Sequence, residues 1–320
     1  RPFGLTIHPH SYLGDHAEWV ILALAPIYAI LPRPETLIFL QALVLGLTAW
    51  TVWRLTHAVV GATLQVAQPP RLRGLKTRDY PPQLLPLGLA LAWLANPFVH
   101  NITLNEWHGL PFALPLLFLA LEAHFRGRTR AFWIFAILAM LVREDVAIWF
   151  VGFSLFALVG RGPVPRRVHG QGLALTLLAI GIFLINNKII SHFAVGGAYK
   201  FSRFYGWIFE ISSPMDVIRH LATIPNLEMI IGFLLPFAFL PIFGPSALIL
   251  TLPALAQIML GTGGGALVFQ FHYATLFLPG LVLGTMFGYQ RLRAWPGLRG
   301  LFRDGLGGRF WLWSRRGGFR

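Results

Sequence analysis

Two apolar segments that flank three consecutive charged residues constrain this chain more than any other feature. Ala131–Val142 and Val146–Val159 lie on either side of Arg143-Glu144-Asp145. Each segment is shorter than the roughly 20 residues that a helix needs to cross a membrane, and arginines precede the first and follow the second. A hairpin places both arginine clusters on one side of a membrane, as the positive-inside rule favours. We therefore predict a helical hairpin whose charged tip reaches the opposite side or ends within the membrane.

The composition identifies the membrane as the medium in which the chain folds. Of its 320 residues, 56% are hydrophobic and 12% are charged, and the mean hydropathy is +0.63; a soluble domain is typically about 25% charged. The formal charge of +14 lies in clusters between apolar segments. Orientation in a bilayer explains this pattern, so we expect no nucleic-acid partner. The chain has no cysteine, which excludes disulfides, thiol catalysis and zinc–thiolate sites.

The pattern of apolar segments predicts an all-α, polytopic transmembrane bundle with about nine spanning helices. The expected spans are residues 36–53, 84–99, 110–123, 131–142, 146–159, 173–190, 229–243, 246–260 and 273–289. Ala17–Leu31 is short and little positive charge precedes it, so we expect it to lie in the membrane interface. We predict one transmembrane domain over residues 1–290 and a basic cytoplasmic tail over residues 291–320.

This topology gathers most of the polar side chains on the outer side of a membrane, which we take to be a prokaryotic plasma membrane. Carboxylates and histidines on one face can supply a general base, and arginine or lysine can hold phosphate oxygens. Whether the chain binds a divalent metal stays open, because no spacing of its acidic residues and histidines is diagnostic of a metal site. The sequence indicates no other cofactor. The residues from which a divalent metal could draw ligands are Asp15, His16, Glu106 and His108. A structural role for histidines at helix ends is the alternative reading.

Two sequences match the start of a helix. Asp15–Glu18 fits a capping box in which Asp15 is the N-cap and Glu18 occupies the third helical position. Ser213–Asp216 fits a second capping box, with a proline at the first helical position. The second match predicts a short surface helix over Pro214–Ala222.

Five short motifs follow one another along the chain: Gly14-Asp15-His16, Leu40-Gln41-Ala42-Leu43, Asn105-Glu106-Trp107-His108, Val142-Arg143-Glu144-Asp145 and Phe271-His272-Tyr273. In their order and spacing they resemble the prokaryotic membrane-protein family known as domain of unknown function 2079 (DUF2079). The likeness covers nearly all of residues 10–290. Glu106 stands where the family has aspartate, and Arg143 stands where it has lysine.

That family in turn resembles the GT-C glycosyltransferases, which take sugars from polyprenyl-phosphate carriers. The resemblance implies a GT-C-like fold, a lipid-linked sugar donor and activity at the outer face. It also implies a first membrane helix and an aspartate motif upstream of Arg1. The catalytic candidates are Asp15, Glu106, Glu144 and Asp145. The candidates for binding the substrate are His16, His108, Arg143, Lys200, Arg203, Tyr205, His272 and Tyr273.

Two other classes of function stay open at this point. A transporter or flippase also carries charges at membrane depth and helices broken by proline, although the sequence has no recognisable repeated half. A structural membrane protein is the third reading, because fold and function separate readily. The partners that the sequence implies are membrane lipid and a polyprenyl-phosphate sugar, and it predicts no oligomeric state.

Overall fold

Helices form almost all of the regular structure of the chain. A computed structural model describes residues 11–67, 84–104, 106–159, 169–194, 204–268 and 272–295, and no β-strand occurs among them. The α-helices are α1 (Val20–Ile30), α2 (Pro34–Ala67), α3 (Leu84–Leu94), α4 (Pro97–Leu104), α5 (Ala113–Phe125), α6 (Thr129–Met140), α7 (Glu144–Val159), α8 (His169–Phe193), α9 (Pro214–Leu221), α10 (Ile224–Leu234), α11 (Pro245–Leu248), α12 (Leu252–Met259) and α13 (Leu278–Ala294). Short 3-10 segments connect several of them.

The all-α membrane bundle is confirmed, but few of its helices are long enough to cross a bilayer alone. In the described part of the chain, three helices pass by length and composition: Pro34–Ala62, Leu84–Leu104 and Gly172–Phe193. A fourth crossing results if Pro214–Leu221 and Ile224–Phe237, which meet at a bend of 53°, count as one span. The other predicted spans contain shorter apolar helices.

Prolines explain why the two predicted spans at 229–243 and 246–260 are not continuous helices. Proline removes a backbone donor and clashes with the preceding turn. The helix α10 ends before Pro236, and Ala238 and Phe239 then adopt left-handed backbone conformations with φ of 50° and 56°. These are uncommon values for residues other than glycine. The sequence from 235 to 259 consequently forms short helical pieces instead of long rods.

The predicted hairpin is present. The helix α6 ends at Met140 and α7 begins at Glu144, and the rings of Phe132 and Phe153 lie 5.0 Å apart, which shows that the two arms run antiparallel. The arms have 12 and 16 residues and therefore extend about 18 and 24 Å. Both are shorter than a hydrocarbon core of about 30 Å, so neither arm crosses it alone.

One of the two predicted capping boxes is wrong and the other is confirmed. The helix α1 begins at Val20, behind a Trp19 that makes no capping bond through its side chain. Glu18 does not cap the helix because its carboxylate is engaged elsewhere, as described below. In the second box, Oδ2 of Asp216 accepts a hydrogen bond from the N–H of Ser213 at 2.9 Å, and α9 starts at Pro214 as predicted.

Small residues on α13 allow the broken helices to pack closely against it. Gly280, Gly284 and Gly288 recur every fourth position, so they share one face of the helix. A Cβ atom at Gly280 would lie 2.5 Å from Thr251, and one at Gly288 would meet the backbone of Leu240. Small residues at such spacing are typical of close helix contacts in membranes. This packing fixes the chain immediately before α13, where one of the site residues lies.

Candidate functional site

Arg143, at the tip of the hairpin, is the centre of a buried cluster of charged and polar side chains. The residue is only 2% exposed. Its Nη1 atom lies 2.9 Å from Nε2 of His272 and 3.4 Å from Oε1 of Glu18, and its Nε atom lies 3.3 Å from Oδ2 of Asp145. A buried guanidinium is stable only when it is paired in this way. Three parts of the chain that are distant in sequence therefore meet at one side chain.

Glu144 connects the hairpin tip to the N-terminal segment. Its Oε1 atom lies 2.7 Å from Nδ1 of His16, and its Oε2 atom accepts a hydrogen bond from the backbone N–H of Ala17 at 3.0 Å. As the first residue of α7, it also stands where the helix dipole favours a negative charge. The carboxylate is thus buried and holds residues 16–17 in place.

Glu18 completes the N-terminal side of the cluster. The hydroxyl of Tyr12 donates to Oε2 of Glu18 at 2.6 Å, and burial together with the nearby Glu18 raises the pKa of Tyr12 well above its usual range. Gly109 leaves the space that this carboxylate occupies, because a Cβ atom there would lie 2.8 Å from Oε2. Position 109 therefore requires glycine because the carboxylate of Glu18 lies so close to the backbone there.

Two histidine rings in close contact form the third side of the cluster. The centroids of His108 and His272 lie 3.5 Å apart. The buried amide of Gln41 holds the backbone at His108, since its Oε1 atom accepts from the backbone N–H of His108 at 2.8 Å and its Nε2 atom donates to the carbonyl oxygen of Ile102 at 2.7 Å. Burial and the charge of Arg143 lower the pKa of His108 to about 4 and that of His272 to about 2. Both rings are neutral near pH 7.

Asp145 faces a different surface from its neighbour in sequence. Its Oδ1 atom accepts a hydrogen bond from Nε2 of Gln257 at 3.3 Å, and it lines a small, open cleft with a volume of about 20 Å³. The remaining lining residues are Leu110, Ala254, Gln257, Ile258, Tyr273, Leu276 and Phe277. The cleft is therefore lined mostly by apolar residues, with one carboxylate, one amide and one tyrosine among them.

The structure brings together half of the residues that the sequence suggested for the site. These are His16, His108, Arg143, Glu144, Asp145 and His272. Tyr273 lines the cleft, and the hydroxyl of Tyr205 donates to the backbone carbonyl of Gln257 at 2.9 Å. Asp15 ends the 3-10 turn beside His16, and Glu106 is exposed near His108. Lys200 and Arg203 lie outside the described residues.

A metal centre finds no support in this arrangement. Among the residues that the structure describes, no group of three histidine, aspartate or glutamate side chains has the geometry to hold a metal ion. Asp15, His16, Glu106 and His108 do not form such a set. The buried guanidinium of Arg143 lies against the histidines instead, and its positive charge opposes a cation there.

Sequence reasoning missed three polar residues that build the site. Glu18 matched a capping motif, and this match hid its pairing with Arg143. Gln257 lies in a short apolar helix and Gln41 lies in an apolar stretch of α2, and an isolated amide at membrane depth must find hydrogen-bond partners. A glutamine among apolar residues was the signal by which the sequence could have identified both positions. The sequence does not show which hydrogen-bond partner each amide finds in the folded chain.

Comparison with known proteins places the chain among membrane proteins. The model of a family described as predicted membrane protein (DUF2079) matches residues 3–302, which include every part of the cluster described above. No curated protein and no solved structure matches the chain. Because the family match extends over more than half of the sequence, the chain belongs to the DUF2079 family of predicted membrane proteins.

Proposed function

We propose that this protein transfers a sugar from a polyprenyl-phosphate carrier to an acceptor hydroxyl at the outer face of the membrane. The observation that carries the proposal is the cleft beside Asp145, which joins an apolar wall to a small polar surface. Ligand sites typically combine an apolar lining with a few convergent polar groups. A lipid-linked sugar has this same division into an apolar tail and a polar head. The resemblance to GT-C glycosyltransferases supplies the class of reaction.

Asp145 is the best-placed general base for this reaction. Its carboxylate reaches the cleft and is held by Gln257 and Arg143. In the proposed step, Asp145 accepts the proton of the acceptor hydroxyl while the hydroxyl oxygen forms a bond to the anomeric carbon. The bond from that carbon to the phosphate oxygen breaks, and the polyprenyl phosphate leaves with the electron pair. Gln257 and Tyr273 would bind the hydroxyl groups of the sugar.

The burial of Arg143 changes the role that we assign to it. A phosphate clamp needs guanidinium N–H groups that face the ligand, yet the Arg143 side chain is 3% exposed and lies against Glu18 and Asp145. We propose that it positions Asp145 instead. The negative charge that develops on the leaving phosphate still requires fixed positive groups, and Lys200 and Arg203 stay our candidates for them.

Other residues of the predicted site receive supporting roles. Glu144 holds His16 and the backbone of Ala17, so we propose that it shapes the site instead of reacting. Asp15 and Glu106 are alternative bases if the acceptor approaches from the N-terminal side. The neutral rings of His108 and His272 would exclude water from the buried end of the cluster.

The test is transfer by the full chain reconstituted in lipid vesicles. Polyprenyl-phosphate esters of radiolabelled hexoses and pentoses serve as donors, and a membrane extract serves as the source of acceptors. We expect release of polyprenyl phosphate, and we expect Asp145→Asn to reduce it by about 10²-fold or more, the usual scale for loss of a general base. Glu35→Gln is the matched control, since this exposed carboxylate lies in the first turn of α2 and is not part of the cluster.

Three outcomes decide between the readings. Transfer that Asp145→Asn abolishes and Glu35→Gln preserves supports the proposal. Transfer that survives Asp145→Asn removes the assigned base. Movement of the intact donor across the vesicle membrane, without chemical change, points to the transporter or flippase.

A further inference from the structure

A second buried charge cluster lies at the opposite end of α5 from His108. Glu122 has a side chain that is only 3% exposed, and it pairs with Arg54 of α2 and with Arg126, the residue that caps α5. Oε2 of Glu122 lies 2.7 Å from Nε of Arg54 and Oε1 lies 3.0 Å from its Nη2 atom. Oε1 also lies 2.7 Å from Nε of Arg126. One carboxylate therefore orients two guanidinium groups.

This cluster has a net positive charge and exposes hydrogen-bond donors at the surface of the protein. Two guanidinium groups against one carboxylate leave one charge uncompensated within the set. The side chains of Arg54 and Arg126 are 30% and 36% exposed. Both Nη atoms of Arg126 make no hydrogen bond to another described residue. Donors that are already oriented and only partly solvated favour a planar oxyanion such as phosphate.

An exposed apolar stripe on α2 leads away from the two arginines. Leu43, Leu47 and Trp50 are 44%, 58% and 54% exposed. With Arg54 they are spaced by four, three and four residues, so they share one face of the helix. The guanidinium carbon of Arg54 lies 4.6 Å from the ring centroid of Trp50. Tryptophan prefers the level of lipid headgroups in a bilayer, which is where a phosphate of a lipid also lies.

We propose that this face binds an anionic phospholipid. Arg54 and Arg126 hold the headgroup phosphate, Trp50 lies beside the glycerol region, and one acyl chain follows Leu47 and Leu43 along α2. The stripe selects a lipid over free phosphate, since a soluble anion would contact the arginines alone. Lipids of this charge attract basic segments at the cytoplasmic leaflet, the side on which we place these arginines. The proposal is independent of the sugar-transfer proposal and concerns the other end of the bundle.

The absence of cysteine from the sequence permits a direct test on the full chain. Leu47→Cys carries a fluorophore in vesicles of phosphatidylcholine, and a small mole fraction of nitroxide-labelled lipid is added with either a phosphatidylglycerol or a phosphatidylcholine headgroup. We expect the phosphatidylglycerol probe to quench at about one-tenth of the mole fraction that the other probe needs, the scale of one charge-assisted contact. Inorganic phosphate at millimolar concentration should not reverse the quenching.

The matched variants are Arg126→Gln and Arg130→Gln, both in the Leu47→Cys background. Each removes one exposed positive charge from the same region, but only Arg126 is oriented by Glu122. Arg54 remains to pair Glu122 in the first variant, so the fold should persist, which unchanged thermal unfolding would verify. We expect Arg126→Gln to abolish the preference and Arg130→Gln to keep it. Equal quenching by the two probes, equal loss in both variants, or reversal by inorganic phosphate would each overturn the proposal.

Discussion

Glu18 and Arg143 form an ion pair in which Oε1 and Nη1 lie 3.4 Å apart, although 125 positions separate them in the sequence, and their side chains are 1% and 3% exposed. The pair joins the segment before α1 to the tip of the α6–α7 hairpin. The carboxylates of Glu144 and Asp145 lie against the same guanidinium. The stability of this end of the bundle therefore depends on a single cation.

Replacing Arg143 by methionine should destabilise the fold strongly. The substitution keeps a side chain of similar length but leaves Glu18, Glu144 and Asp145 without their buried counter-charge. Breaking a buried pair by removing one partner typically costs about 3–5 kcal/mol. Thermal unfolding of the protein in detergent would measure the loss. Arg130→Met is the control, because Arg130 is exposed; equal melting temperatures for the two variants would contradict the central role of Arg143.

Gly109→Ala should disturb the cluster without removing any charge. A Cβ atom at this position would lie 2.8 Å from both Oε2 of Glu18 and Cγ1 of Val20, so the carboxylate must move away from Tyr12 or the loop must shift. Overpacking of this kind typically costs about 1–3 kcal/mol. Gly88→Ala is a suitable comparison, since nothing lies within 4 Å of a Cβ atom there. The prediction fails if both variants unfold at the temperature of the parent protein.

The stability of the protein should fall as the pH decreases below 6.5. His108 and His272 are neutral in the folded chain because burial, and then Arg143, lower their pKa values to about 4 and about 2 from 6.5. Between about pH 4 and pH 6.5 the unfolded chain therefore binds more protons than the folded chain. The free energy of unfolding rises with pH over this range and levels off above pH 6.5. The loss on acidification begins at 6.5 and extends towards pH 4 and below.

The histidine contribution can be isolated by comparing slopes between pH 6.5 and pH 5, above the ordinary range of carboxylates. Chemical unfolding of the parent and of a variant with His108→Asn and His272→Asn would give the two slopes. The variant should be less stable at pH 7 but should lose less stability on acidification. Identical slopes would show that these two rings do not control the response.

The two ends of the bundle should be accessible from opposite sides of the membrane. Glu106 lies at the Arg143 end, Arg128 lies at the Glu122 end, and both are exposed. Because the parent chain has no cysteine, single cysteines at these positions can be labelled with an impermeant thiol reagent. In intact cells we expect Glu106→Cys to react and Arg128→Cys to react only after permeabilisation. The reverse pattern would place the proposed transfer site inside and would contradict the positive-inside assignment.

Much of the architecture could be predicted from local patterns of residue type. The hairpin around Arg143 and the helix start at Ser213 depend on hydropathy, charge and proline position within short windows, and the structure confirms both. The continuity of the segments at 229–260 was not predictable in the same way. Apolar composition indicates where a chain avoids water, but the prolines and the glycines of α13 decide whether it forms one rod or several short pieces.

The candidate site, like the fold, could be predicted from the sequence only in part. Charge distribution alone indicated that His16, His108, Arg143 and His272 belong to one side of the bundle, because placing every basic cluster on the inner side puts the loops between them on the other. It did not identify the partners. Glu144 and Asp145 are adjacent in sequence, yet the first turns of α7 direct one towards His16 and the other towards Gln257. Only the tertiary packing assigns one carboxylate to structure and the other to the cleft, since that choice depends on which neighbours the folded chain brings within hydrogen-bonding distance.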